Sequence, residues 1–253
     1  MIALRLPLLF VAFLAAVALG GCATHATPKP GIDPAAEDAL KKMSDTLANT
    51  KTMTFRVESA MEEPVETGQL AQFQREVKFV LRRPDRLYVE SRKGDETCMV
   101  WYRGTTLTVL NKTANTYATE TVPGTVDKML QYLEEKYGMA LPLDDLLFSD
   151  PYKMLMARAV TGTLIGMHTA GGAECQHMLF TQDNMDWQIW TDCGKVPVPR
   201  KIVIDYKTQP DRPEFIATLT DFDLSTPVAD DTFEPKLPEG ATQVEMSELL
   251  GSR

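Results

Sequence analysis

Phe79-Val80-Leu81-Arg82-Arg83-Pro84-Asp85-Arg86-Leu87-Tyr88-Val89-Glu90 reads as a strand, a sharp turn and a second strand. Apolar and β-branched residues run up to Arg82, Pro84-Asp85 turns the chain, and Leu87 and Val89 resume the alternation. Working outward, the spacing predicts strands over 69–82, 86–92, 97–102, 106–110 and 116–121, with turns at Arg103-Gly104 and Asn111-Lys112. Upstream, Phe55 and Val57 alternate with Thr54, Arg56 and Glu58. Before them Ala36, Leu40, Met43 and Leu47 form one apolar stripe of a helix that Pro34 opens. Downstream, 125–137 returns to helical spacing with Val126, Met129, Leu130 and Leu133 on one side. A second helical region covers 143–158, broken at Asp150-Pro151. Further strands are predicted over 162–169, 174–181, 187–193, 201–208 and 214–224, and a proline-rich extended end over 233–246. This order gives an α+β class: one strongly curved antiparallel sheet with helices on one face.

The first residues describe an address. Arg5 precedes an apolar run from Leu6 to Leu19, too short to span a hydrocarbon core of about 30 Å and suited to a signal peptide. The ending Leu19-Gly20-Gly21-Cys22 resembles the lipobox of bacterial lipoproteins, which implies cleavage after 1–21 and acylation of Cys22. Residues 22–34 then read as a lipidated flexible tether, 35–246 as a single domain and 247–253 as a C-terminal tail. The formal net charge is −9 and becomes one unit more negative once Arg5 leaves. Such a surface repels phosphate backbones, so nucleic acid is not an expected partner, and membrane attachment is expected to be covalent.

Three further cysteines lie in the exported part: Cys98, Cys175 and Cys193. If Thr181 faces Trp187 across the turn 182–186, antiparallel pairing sets Leu179 against Ile189, His177 against Thr191 and Cys175 against Cys193. A Cys175–Cys193 disulfide is the expectation, with a register slip as its main alternative.

The hairpin 79–90 is similar to the strand–Arg-Pro–strand of the lipoprotein-localisation-factor superfamily, which includes the Lol periplasmic carrier and its outer-membrane receptor. Trp101-Tyr102-Arg103-Gly104-Thr105-Thr106-Leu107-Thr108-Val109 and the closing Asp231-Thr232-Phe233-Glu234-Pro235-Lys236-Leu237-Pro238-Glu239-Gly240 extend the resemblance. Within that superfamily the chain resembles a family of predicted periplasmic proteins without an established activity. The relevant passages are Gly138 to Leu147, Cys175-Gln176-His177 and Trp187-Gln188-Ile189-Trp190. The resemblance implies a half-barrel with an apolar concave side covered by helices, where Lol proteins hold acyl chains. In proteobacterial lipoproteins the residue after the cysteine directs sorting, and Ala23 implies the outer membrane, with the domain facing the periplasm.

The candidate ligand lining is Phe73, Phe79, Met99, Trp101, Met129, Leu179, Trp187 and Ile189, with Met154 and Met156 extending it. Thirteen methionines give a soft interior suited to flexible chains. The plainer reading is a dry, filled core. Cys175, His177 and His168 lack the spacing of a metal site, and no metal or cofactor is expected. No Gly-x-Ser-x-Gly elbow occurs, and Asp144-Asp145 reads as helix-capping acid, so no catalytic residue is assigned and no enzyme is expected. The expected function is non-enzymatic binding of a lipid or other hydrophobic ligand for carriage or sensing. The alternative is an envelope scaffold with a filled core that docks a protein partner.

Overall fold

The computed structural model describes residues 31–139 and 143–250. The leader 1–21, Cys22 and most of the tether lie outside the described residues. So do Ala140, Leu141, Pro142 and the last three residues.

Helix α1 (Pro34–Ala48) starts where Asp33 Oδ1 accepts the Ala35 N–H at 2.9 Å and Pro34 occupies the first helical position. Its apolar stripe, Ala36, Leu40, Met43 and Leu47, is fully buried. A meander follows: β1 (Thr52–Pro64), β2 (Leu70–Arg82), β3 (Arg86–Lys93), β4 (Glu96–Arg103), β5 (Thr106–Asn111) and β6 (Thr116–Thr121). Helix α2 (Val126–Tyr137) is capped by Thr125 and ends at Gly138, whose φ of 64° suits glycine. A 3-10 turn (Asp144–Leu147) and α3 (Pro151–Met156) lead to a second meander. It comprises β7 (Thr161–Ala170), β8 (Ala173–Thr181), β9 (Asp186–Asp192), β10 (Pro199–Asp205) and β11 (Glu214–Asp223). A 3-10 turn (Asp230–Phe233), a two-residue strand β12 (Thr242–Gln243) and α4 (Met246–Leu250) close the chain.

All twelve strands form one sheet in the order β12-β6-β5-β4-β3-β2-β1-β11-β10-β9-β8-β7. Only β12 runs parallel to its neighbour. The two meanders meet at β1, which pairs β2 on one side and β11 on the other. The result is a curved half-barrel with helices on the concave face, as the sequence predicts.

Alternation assigns the faces. Phe55, Phe79, Val89, Val100, Val109 and Ala118 share the helix side of the first meander through their pairings. Leu219, Ala217, Ile202, Ile189 and Met178 continue it across the second. These residues and the buried stripes of α1 and α2 make one core.

Two boundaries differ from expectation. Residues 31–33, read as tether, are docked: Gly162 donates to the Gly31 carbonyl at 3.1 Å, and Asp33 donates to that of Gly162 at 2.8 Å. Gly162 is required there, because a Cβ would lie 2.6 Å from the Phe180 ring. At the other end, 247–250, read as tail, belong to α4, which begins at Met246, buried in the core.

Candidate functional site

The turn that opens the sequence argument is the anchor of the helical cover. Arg83 Nη1 and Nη2 donate to the carbonyl oxygens of Leu147 at 2.8 Å and Phe148 at 2.7 Å, which caps the end of the 3-10 turn. The Pro84 carbonyl accepts the first N–H of α2, from Val126, at 2.9 Å. Burial pulls the Arg83 pKa below its ordinary value, with Asp127 opposing that effect. Asp127 also accepts the Ser149 N–H at 3.0 Å, tying α2 to the entry of α3. On β6, Glu120 accepts from Tyr132, Lys136 and Tyr137. Burial favours its neutral form, but these donors outweigh that and hold its carboxyl below the usual range. The cover is thus fastened over β2, β3 and β6 by polar contacts.

Its other side rests on apolar contact. Between the cover and β9–β10 lies a void of about 60 Å³, bounded above by Leu143, Leu146 and Leu155 and below by Trp187, Ile189, Ile202 and Ile204. Leu143 holds φ at 76°, a left-handed backbone that a leucine rarely adopts. Asp145, beside it, also lines the void. Burial raises the Asp145 pKa, Glu134 adds to that, and Arg158 opposes it. Gln182 and Met185, from the β8–β9 loop, complete the rim. The Trp187 ring stacks on Phe180 with centroids 4.3 Å apart.

The predicted lining residues divide between faces. Phe79, Met129, Trp187 and Ile189 belong to the concave core, and Trp187 and Ile189 border the void. Met154 and Met156 pack against the same core. Phe73 is 36 % exposed near the far end of the β1–β2 hairpin, under the Lys93 ammonium. Met99, Trp101 and Leu179 stand on the opposite face, because Met99 pairs with Glu90, Trp101 with Tyr88 and Leu179 with Gln188. Trp101 is buried there by the closing segment: Phe233, Glu234 and Pro235 border a void of about 80 Å³ against it. The shared interior expected for all eight residues is therefore corrected to four. Ile202, Ile204, Leu146 and Leu155 were missed, although the β10 alternation carried a signal for the first two.

The Cys175–Cys193 bridge is also corrected. Gln182 donates to the Met185 carbonyl at 2.8 Å, so Asp186, not Trp187, faces Thr181. That one-residue difference sets Ile189 opposite Met178 and Cys175 opposite Asp192, and Cys98, Cys175 and Cys193 are free thiols. Cys175 sits in a small second cluster with Trp190 and Val203 on the convex side. His177 lies on that side too, stacked on Trp190 at 3.9 Å, with Nε2 2.9 Å from Gln188 Oε1 and Nδ1 3.2 Å from His168 Nδ1. Burial lowers the His177 pKa, the Gln188 contact opposes that, and His168 and Lys201 lower it further. Asp144 and Asp145 occupy the first turn of the 3-10 segment, while its N-cap position is Leu143, which makes no side-chain cap. Among the described residues no three His, Cys, Asp or Glu side chains converge as metal ligands.

Several solved structures align with most of the chain. The lipoprotein LppX of Mycobacterium tuberculosis aligns with a TM-score of 0.47 at 10% identity, covering 78% of this chain and 100% of that one. LprF from Mycobacterium bovis aligns at 0.45 and 12% identity, over 85% of this chain and 100% of that one. A LolA superfamily protein from Nitrosomonas europaea aligns at 0.36 and 10% identity, over 79% and 97%. No curated protein matches the chain in sequence. Residues 36–247, the β-sheet and its helical cover together, match one family throughout, and the chain belongs to the predicted periplasmic proteins of the DUF2092 family.

Proposed function

We propose that this is a lipid-anchored envelope protein that takes a hydrophobic ligand between the concave sheet and its helical cover, for carriage or sensing, without catalysis. The observation that carries this reading is the asymmetry of the cover, held by charged and backbone contacts over β2, β3 and β6 but meeting β9 and β10 across an apolar void. Ligand pockets typically measure about 300–1,000 Å³. A void of about 60 Å³ therefore represents a closed state, and uptake requires the seam beside Leu143 and Asp145 to open. The side chains at the void supply apolar contact and two polar termini, and among the described residues no nucleophile stands beside a base there. That composition supports binding rather than chemistry.

The anchor is Cys22, and Ala23 after it favours the outer membrane. Replacing Cys22 with serine should move the protein from the membrane to the soluble periplasmic fraction, and unchanged membrane fractionation would refute lipidation. A second reading, a scaffold with a filled core, is favoured by the small size of the void. Native mass spectrometry of protein extracted gently from membranes separates the two. Copurifying lipid supports the carrier or sensor, and protein free of lipid in repeated preparations supports the scaffold.

A further inference from the structure

Trp187, which borders the void beneath the cover, carries a polar atom that the fold leaves unused. Trp187 is 5 % exposed, and its indole Nε1–H, fully shielded from solvent, has no hydrogen-bond partner among the described residues. The ring cannot turn freely to find one, because its face is stacked on Phe180 at 4.3 Å with 16° between the planes. Buried indole N–H groups ordinarily find acceptors, and an orphan is an unfavourable arrangement that native structures seldom keep without a reason. Asp145 and Gln182 border the same void, yet neither accepts this proton.

We propose that Trp187 Nε1 donates to the carbonyl oxygen of the bound ligand, and that this ligand is a neutral acyl ester or amide whose chain lies over Ile189, Ile202 and Ile204. This deepens the proposed function and rests on it. The electrostatics of the rim select the neutral class. Asp145 stands beside Glu134, with Asp144 near Tyr206, and the nearby cation acting on Asp145 is Arg158. An ionised carboxylate or phosphate would meet net repulsion at this rim, whereas an ester or amide carbonyl accepts a hydrogen bond without carrying charge. The aliphatic side chains on β9 and β10 offer only dispersion contact to the remaining chain.

The test uses the full mature protein with three probes of matched chain length: hexadecane, methyl palmitate and sodium palmitate. Methyl palmitate should bind about fivefold more tightly than hexadecane, the worth of one neutral hydrogen bond, and more tightly than ionised palmitate at neutral pH. In Trp187→Phe the ratio of ester to alkane affinity should fall to about one. A second measurement does not depend on the variant folding. In isotope-labelled wild-type protein the Trp187 indole N–H resonance should move downfield on saturation with methyl palmitate and not with hexadecane. Equal affinities for ester and alkane in the wild type, or an unmoved Trp187 resonance at saturation, would overturn the assignment while leaving the ligand-binding cavity intact. Failure to bind any of the three probes would overturn the cavity reading itself.

Discussion

At the scale of single residues, Arg83 and Asp145 act at the end and at the start of the same 3-10 turn and carry opposite electrostatic roles. Arg83 satisfies two carbonyls at the end of a 3-10 turn that would otherwise be buried without donors. Arg83→Met should therefore cost about 2–4 kcal/mol in urea unfolding, the range for losing charge-assisted bonds and orphaning their acceptors. A loss below about 0.5 kcal/mol would show that the turn does not depend on it. Asp145 is the reverse case. Its carboxyl is raised by burial first and by Glu134 second, so the folded state binds its proton more tightly than the unfolded chain does. The stability it contributes is fully present below the unfolded pKa and is lost as pH rises through the folded value. Asp145→Asn should consequently melt higher than wild type at pH 7, with the gap closing as pH falls towards 4. A gap that widens on acidification would contradict this sign. The sequence marked Arg83 through its turn, but gave no sign that its guanidinium reaches the cover, since its partners lie more than sixty positions away. It marked Asp145 as a helix-start acid and missed its burial, which depends on how the cover meets β10.

Elements were legible where periodicity is local and less so where register matters. The stripe of α1, the helix α2 and most strands of both meanders follow from periodicity and turn residues alone. The β8–β9 hairpin shows the limit. Its strands and loop are where the pattern places them, yet one residue of register exchanges the faces of β8 relative to β9, moving Leu179 off the concave side and Met178 and Phe180 onto it while Trp187 and Ile189 stay. Loop closure by Gln182 and Met185 decides between the two registers, and both sequences look equally plausible because apolar residues occupy both faces. The thiols test the observed register. Under native alkylation the exposed Cys193 should react first and the buried Cys175 last, with all three cysteines labelled after unfolding without reductant. Burial pushes each thiol pKa up, so labelling should be slow near neutral pH. A Cys175–Cys193 peptide in a non-reducing digest would contradict the pairing. The short helix α4 was not readable, because five residues carry too little period and its packing of Met246 is a tertiary effect.

At the scale of the molecule, sequence pattern and structure both give a curved sheet with a covered apolar concave face. The convex face is also covered in part, by the closing segment that buries Phe233 and shields Trp101. That cover explains why apolar residues appear on both sides of the strands without requiring a ligand on both. The concave void lies at a seam of apolar contact between cover and sheet, with Asp145 and Gln182 at its rim. The void's existence lay beyond sequence reasoning, since the same residues could have filled it.

The central claim is that hydrophobic ligands enter at this concave seam, and filling each void in turn tests it. Uptake of a fluorescent fatty-acyl ester should weaken at least about tenfold in Ile204→Trp, which fills the void beneath the cover. It should remain unchanged in Thr106→Trp, which fills the void on the convex side. Equal uptake by wild type and Ile204→Trp, or a loss confined to Thr106→Trp, would contradict the account.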